Sequence, residues 1–208
     1  MNKKFIVVEG VIGAGKTTLT NILSEYYNAE KILEEVETNP FLSNFYKDRK
    51  SYAFQTQIYF LLSRYKQMSK FKQLNLFNNT IISDYLFDKD YIFAEINLDD
   101  NEFNMYKSIY NLMKAQLTTP DLVIYLQGSL ETLIKHIKMR GRSFESNISH
   151  NYLKTLNEKY NEFFFKYNNS PLLIINIDKV DFVKENFDFN YFIKEIETDF
   201  SGKKFLSF

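Results

Sequence analysis

The chain has 208 residues, 45% of them hydrophobic, with 26 Lys and Arg against 26 Asp and Glu. This length and apolar content indicate one compact domain over residues 1–208, and the balanced charge argues against a nucleic-acid partner. The absence of cysteine excludes a disulfide framework. The first apolar run is too short for a signal peptide, and none approaches the ~18 residues of a membrane span. We therefore expect a cytoplasmic protein that does not enter a membrane.

Apolar runs predict five β-strands, at 4–9, 30–34, 79–84, 121–127 and 171–178. Helical patterns fill the intervals, at 16–27, about 51–75, 86–97, 101–117, 129–140, 149–168 and 184–200. The alternation predicts an α/β fold in which a five-stranded parallel sheet is flanked by helices. Ligands of such sheets bind beyond the carboxyl ends of the strands, so the residues after each strand are the site candidates.

A phosphate-binding loop follows the first strand. Residues 10–17 match GxxxxGK[ST] in full, between a predicted strand and a predicted helix. Backbone N–H groups of such a loop can surround a phosphate, Lys16 would reach the β- and γ-phosphates, and Thr17 would bind Mg²⁺. The expected nucleotide-binding residues are Gly10, Gly13, Ala14, Gly15, Lys16, Thr17 and Thr18.

Carboxylates follow the second and third strands. Glu34, Glu35 and Glu37 could supply a general base, or they could form a solvated acidic turn before a helix that begins at Pro40. Asp84 could bind Mg²⁺ near the phosphate loop, or it could cap the helix at 86–97. The sequence alone leaves both alternatives open.

The long predicted helix carries Gln57 and Arg64 two turns apart, hence on one face. A glutamine amide, with a donor and an acceptor, suits the edge of a nucleobase. Periodicity allows equally that Arg64 faces solvent.

Arg140 and Arg142 flank Gly141 just past a predicted helix. The arrangement is typical of a mobile lid over transferring phosphates, or of a basic helix end capped by glycine. His136 and His150 lack metal-ligand spacing, and we interpret them as ordinary surface or packing residues.

Together these segments resemble the deoxyribonucleoside kinases, the family of deoxyadenosine, deoxyguanosine and deoxycytidine kinases. The likeness runs over nearly the whole chain, and its specific part is the ordered combination of phosphate loop, acidic strand end, Gln57-to-Arg64 helix and Arg140-to-Glu145 segment. It implies a P-loop kinase fold with a short lid at about 140–148, and a homodimer. It also implies that, with Mg²⁺, the γ-phosphate of ATP passes to the 5′-hydroxyl of a small-molecule deoxynucleoside in nucleotide salvage.

The resemblance also assigns roles to individual residues. Glu34 takes the place of the general base, with Arg140, Arg142 and Lys16 as the catalytic cations. The other matched positions are Tyr46 and Glu145 for the sugar 3′-hydroxyl, Gln57, Arg64 and Asp90 for the base, Asp84 for Mg²⁺ and the acceptor side, and Asp178, Asp181 and Phe182 for the donor adenine. The charged pair Arg64 and Asp90 leads us to expect a purine substrate, deoxyadenosine first.

The chain departs from the family pattern at three positions. Tyr85 replaces an arginine beside the 5′-oxygen, and Lys89, one helical turn on, could return the charge from the same helix face; otherwise Lys89 is a solvated surface lysine. Phe144 stands where relatives often carry an acid, and His136 where some carry a lid-helix arginine.

Two other functions compete with this interpretation. A thymidylate kinase has a similar phosphate loop, but its acceptor phosphate would be repelled by Glu34, Glu35, Glu37 and Asp84. A GTPase-type switch or a non-catalytic nucleotide-binding regulator would have little use for a general base and lid arginines, and the chain lacks an N/T-K-x-D guanine motif.

Overall fold

The computed structural model describes residues 3–74, 80–142, 145, 148–182 and 187–207. Phe144, with the other residues at 143 and 146–147 of the predicted lid, lies outside these described residues. Within them, none of the helices combines the length and the apolar composition needed to cross a membrane.

Six parallel strands form one sheet in the order β2-β3-β1-β4-β5-β6. They are β1 (Phe5–Gly10), β2 (Glu30–Ile32), β3 (Ile81–Ser83), β4 (Leu122–Gln127), β5 (Leu172–Asn176) and β6 (Lys203–Leu206). The predicted parallel α/β sheet is confirmed, but the prediction of five strands is wrong. The edge strand β6 buries Leu206 while Lys203 and Phe205 are exposed, so it has no apolar run to reveal it.

The helices cover both faces of the sheet. They are α1 (Lys16–Tyr26), α2 (Leu42–Lys47), α3 (Arg49–Leu74), α4 (Lys89–Asn97), α5 (Asp100–Lys114), α6 (Leu130–Arg140), α7 (His150–Lys166) and α8 (Phe189–Glu197). The helix that one interpretation places at Pro40 begins at Leu42, as the six-residue α2. It is absent from the helical patterns because fewer than two turns give no readable periodicity.

Helix α4 begins three residues later than predicted. The N–H groups of Lys89 and Asp90 donate to the carbonyls of Leu86 and Phe87, at 3.0 and 3.2 Å. These i to i+3 bonds make residues 86–88 a turn, which sets the direction in which the first side chain of α4 leaves the backbone.

The core forms around the two central strands. Residues Ile6–Val8 of β1 and Leu122–Leu126 of β4 are almost completely buried, and α1 packs against β1, β2 and β3. A separate apolar cluster lies where α3, α4 and α5 meet, around Leu61 and Tyr106. This packing fixes α3 and α4 beside the carboxyl ends of β2 and β3, where the site forms.

Candidate active site

The phosphate loop has the geometry that its pattern requires. Gly13 and Gly15 both have a φ of 88°, in the left-handed region that residues with a Cβ rarely adopt. Helix α1 begins directly after Gly15, so its N-terminal N–H groups point toward the loop. The ammonium of Lys16 lies over the loop and donates to the carbonyls of Gly10 and Val11, at 2.8 and 3.1 Å.

Burial lowers the pKa of Lys16 to about 8, with the charge of Lys89 acting in the same direction. The carboxylates of Glu9, Glu34 and Asp84 oppose this shift. The loop lysine is therefore held in a cluster of charged groups that reaches beyond the loop itself.

Thr17 and Asp84 meet at the ends of α1 and β3. The Thr17 hydroxyl donates to Asp84 Oδ2 at 2.6 Å, and Asp84 Oδ1 accepts from the backbone N–H of Glu34 at 2.7 Å. Asp84 does not cap α4, whose N-cap is Asp88, so the capping interpretation is wrong. An adjacent hydroxyl and carboxylate oxygen form a donor set that fits Mg²⁺.

No group of three or more His, Cys, Asp and Glu side chains in the described part of the chain is placed to hold a metal ion. Mg²⁺ that is bound together with nucleotide phosphates usually takes one or two protein carboxylates. The Thr17 and Asp84 pair is compatible with that kind of site.

Glu34 lies at the centre of a buried ion network. Its carboxylate accepts from Arg64 Nε at 2.9 Å and from Arg64 Nη2, and on its other oxygen from Lys89 Nζ at 2.7 Å. Arg64 also donates through Nη1 to Asp90, whose side chain is fully buried. Two carboxylates are thus matched by two cations. The interpretation of this segment as a solvated acidic turn is wrong for Glu34, whereas Glu35 and Glu37 are exposed.

These contacts shift the acidity of both carboxyls. Burial alone would raise the pKa of Glu34, but the charges of Lys89 and Arg64 hold it well below its usual range. Burial raises the pKa of Asp90, with Arg64 opposing the shift. Glu34 therefore remains ionised at neutral pH although it is shielded from water.

Gln57 and Arg64 share one face of α3, as predicted, and this face points inward. Both are buried, which excludes the solvent-facing alternative for Arg64. Gln57 Nε2 is buried and has no hydrogen-bond partner among the described residues. Both side chains line the cavity, so this unpaired donor lies where a ligand could accept from it.

Lys89 and Tyr85 do not share a helix face, and that expectation is wrong. Tyr85 precedes α4, and its buried hydroxyl donates to Gln67 Oε1 at 2.7 Å. Lys89 opens α4 and directs its ammonium toward Glu34. It is 4% exposed and lines the same cavity as the phosphate loop, so it is not a solvated surface lysine.

The described part of the predicted lid lies over the cavity. Gly141 caps α6 with a φ of 66°, while Arg140 and Arg142 both line the cavity, so the two interpretations of this segment are compatible. Arg140 Nε donates to Glu145 Oε2 at 3.1 Å, and Arg142 lies 3.8 Å from Glu145 Oε1. Tyr46 lines the same cavity, and burial, with Glu145 among the charges nearby, raises its pKa.

A single cavity of about 520 Å³ joins these groups at the carboxyl ends of the strands. The predicted residues on its wall are Gly13, Ala14, Gly15, Lys16, Thr17, Thr18, Glu34, Tyr46, Gln57, Arg64, Asp84, Lys89, Arg140, Arg142, Glu145, Asp181 and Phe182.

Three predicted site residues lie behind the wall of the cavity. Gly10 acts through its carbonyl on Lys16, and Asp90 contacts Arg64 from behind. Asp178 Oδ1 accepts from the N–H of Ser129 at 2.8 Å, which ties the end of β5 to the start of α6. These residues support the wall but do not face the space that a ligand would fill.

His136 was misinterpreted from the sequence. Its Nδ1 lies 2.8 Å from the carbonyl of Gly13, where it can donate to the phosphate loop, and the ring lines the cavity. Its position four residues before Arg140, which places both side chains on one face of α6, could have indicated from the sequence that it lies near the site.

Comparisons with known proteins point to one family. The family model described as deoxynucleoside kinase matches residues 6–201. Among curated proteins, the chain is 38% identical to a deoxyguanosine kinase of Bacillus subtilis, over 89% of this chain and 92% of the relative. It is 35% identical to a deoxyadenosine kinase of Lactobacillus acidophilus, over 92% and 94%. A solved deoxyadenosine kinase from M. mycoides with bound dATP superposes with a TM-score of 0.77 at 34% identity, over 92% of this chain and 96% of that one.

We predict that the affinity for ATP decreases as the pH rises above about 8, the pKa of Lys16. Below this pH the ammonium is charged, and phosphates prefer the charged form, so each pH unit above it should weaken binding by up to ~10-fold. Calorimetric titration with ATP between pH 7.5 and 9.5 measures the slope. The matched control is Lys16→Arg, which stays charged; equal slopes in both proteins would contradict the prediction.

Proposed function

The chain belongs to the deoxynucleoside kinase family, and we propose that it phosphorylates the 5′-hydroxyl of a purine deoxynucleoside, deoxyadenosine first, with ATP as the donor. The reaction converts deoxynucleoside and ATP into deoxynucleoside 5′-monophosphate and ADP, as in nucleotide salvage. The observation that carries the proposal is Glu34, an ionised and largely buried carboxylate that shares one cavity with the phosphate loop.

In this proposal Glu34 accepts the proton of the 5′-hydroxyl. Its two ion pairs with Arg64 and Lys89 keep it ionised and fix its orientation, but they also make it a weak base. A weak base is sufficient, because the transition state of phosphoryl transfer is loose and the hydroxyl becomes strongly acidic only once its oxygen begins to bond to phosphorus. Glu34 would therefore take the proton late in the step.

Other groups that line the cavity would stabilise the transferring phosphoryl group. Lys16 lies over the phosphate loop, and Arg140 at the end of α6 and Arg142 just after it also line the cavity. Thr17 and Asp84 would hold Mg²⁺, which when bound neutralises charge on the β- and γ-phosphate oxygens. Catalysis would then be mainly positioning and charge stabilisation.

Substrate recognition is assigned to three parts of the cavity. Tyr46 and Glu145 would hold the sugar 3′-hydroxyl, and the unpaired amide of Gln57 would bind the base edge beside Arg64. The donor adenine would lie against Asp181 and Phe182, with the preceding residue Val180 also on the cavity wall and Asp178 fixing the base of this loop. Thymine presents a carbonyl where adenine presents an amino donor for the amide oxygen of Gln57, and its methyl group adds bulk, so it suits this pocket less well.

The acceptor end of the cavity favours a neutral nucleoside over a nucleoside monophosphate. Glu34 and Asp84 would repel an acceptor phosphate, and the cations beside them, Arg64 and Lys89, are already paired with carboxylates. This argues against a thymidylate kinase, and membership of a kinase family argues against a non-catalytic regulator.

We also propose that the enzyme acts as a homodimer in the cytoplasm. Support for the dimer comes from large apolar side chains on α3 and α5 that are exposed in the monomer, namely Leu62, Met105 and Leu112. Helices α3 and α5 pack against each other, and exposed apolar surface commonly marks a protein interface.

Glu34→Gln should lower kcat by ~10²–10⁴-fold while ATP binding changes little, because the variant loses the general base and leaves the phosphate loop intact. Steady-state kinetics with deoxyadenosine and calorimetry with ATP give both values. Glu35→Gln is the matched control, since Glu35 is exposed and lies off the cavity. Nearly normal turnover in Glu34→Gln would refute the assignment.

Lys89→Met should lower kcat and kcat/KM together, by ~10-fold or more, if its ammonium stabilises the transition state. Loss of this cation should also move the acid limb of the kcat profile to higher pH, because the Lys89 charge holds down the pKa of Glu34. The control is Lys114→Met, which breaks an ion pair with Asp88 outside the cavity. If kcat is unchanged in Lys89→Met, then Lys16 and the arginines supply all the positive charge.

The base preference is measured as kcat/KM for a panel of possible acceptors: deoxyadenosine, deoxyguanosine, deoxycytidine, thymidine and thymidine monophosphate. Deoxyadenosine should have the highest kcat/KM, and thymidine should lag by ~10²-fold or more, because unpaired polar groups in a closed site cost several kcal/mol. Gln57→Leu should reduce this discrimination while the protein stays folded. Thymidine as the best substrate would refute the assignment of the base pocket, and phosphorylation of the monophosphate alone would refute the proposed function.

A further inference from the structure

Glu9 is a buried carboxyl to which the proposed mechanism gives no role. It follows the apolar run Phe5–Val8 in β1, at the centre of the sheet, and its side chain is completely buried. It does not line the cavity. A carboxyl among apolar strands is unfavourable unless it is hydrogen-bonded, so its contacts indicate why it is there.

The two oxygens of Glu9 bind two different segments. Oε1 accepts from the N–H of Gly10 at 2.8 Å, and Oε2 accepts from the N–H of Leu86 at 2.6 Å. Gly10 begins the phosphate loop, and its carbonyl accepts from Lys16. Leu86 lies in the segment after β3, between Asp84 and Lys89.

The result is one line of hydrogen bonds from Leu86 through Glu9 and Gly10 to the ammonium of Lys16. The Tyr160 hydroxyl lies 3.5 Å from Glu9 Oε1 and closes the remaining side. Burial raises the pKa of Glu9, and the charges of Lys89 and Lys16 oppose that shift, so both cations act on this carboxyl electrostatically.

We propose that Glu9 is a positioning residue, which sets the phosphate loop and the segment Asp84–Lys89 at a fixed distance from each other. The loop would carry the donor, and Asp84 and Lys89 face the acceptor, so their relative position decides how well the phosphoryl group and the 5′-oxygen align. A small misalignment of this kind lowers the rate of the chemical step more than it weakens either substrate's binding. The inference rests on the proposed function.

The test compares Glu9→Gln with the matched control Asp121→Asn. The Asp121 carboxylate also accepts from two backbone N–H groups, those of Lys4 and Phe5 at 2.7 and 2.9 Å, but at the opposite end of β1. In Glu9→Gln the backbone N–H of either Gly10 or Leu86 would face the NH₂ group of the glutamine and lose its acceptor. We expect kcat to fall by ~10-fold or more while each KM changes by less than ~3-fold, whereas Asp121→Asn keeps the wild-type kcat.

Glu9→Asp keeps the charge, but its side chain is one methylene too short to reach both N–H groups. This variant tests the proposal if Glu9→Gln does not fold. Rates are taken per nucleotide-binding site, well below the unfolding temperature. A fall in kcat at nearly constant KM in a folded variant supports the proposal. A kcat within 2-fold of wild type in Glu9→Asp overturns it, as does a loss no larger than that of Asp121→Asn. An inactive wild-type protein would instead refute the proposed function.

Discussion

The pairing of buried charges around Glu34 is the constraint on which the active site depends. Glu34 follows β2, Arg64 lies on α3, and Lys89 and Asp90 begin α4, so three separate elements each contribute charge to one network. Breaking a buried ion pair by removing one partner costs several kcal/mol, because the other charge remains away from water. The elements are therefore held together by the same contacts that keep Glu34 ionised and correctly oriented.

The parallel sheet brings the other half of the site to this network. Strands β1, β2, β3 and β5 all end at the same edge, so the phosphate loop, Glu34, Asp84 and the loop after β5 meet there although they are far apart in sequence. Two features refine their relative positions. Asp84 binds both Thr17 and the backbone of Glu34, and the turn before α4 directs Lys89 into the cavity.

The sequence predicted the features that depend on local patterns. Each of the five predicted strands overlaps an observed strand, and in four of them the apolar run is largely buried on both faces of the sheet. The phosphate loop has the positive φ angles that its glycines allow. Strand β6 was missed because an exposed edge needs no apolar run. The shared direction of Gln57 and Arg64 could be predicted from helix spacing, but whether that face points inward depends on tertiary packing.

Roles that depend on three-dimensional contacts were harder to predict from the sequence. Asp178 and Asp90 were expected in the site, yet they support it from behind, because a carboxylate can act on a neighbour as well as on a ligand. His136 was interpreted as a surface or packing residue for want of metal-ligand spacing, whereas it lines the cavity and contacts a backbone carbonyl of the phosphate loop. Lys89 was placed near Tyr85 by helical spacing, which failed because the helix begins only at Lys89.

The charge balance of the acceptor side also bears on turnover. A deoxynucleoside is neutral and would enter beside Glu34 and Asp84 without electrostatic opposition, but its 5′-monophosphate carries nearly two negative charges at neutral pH. Arg64 and Lys89 are occupied by Glu34 and Asp90, so little free positive charge on this side would retain the product. In the proposed reaction the same carboxylates would also favour dissociation of the product, and this would limit inhibition by accumulated monophosphate.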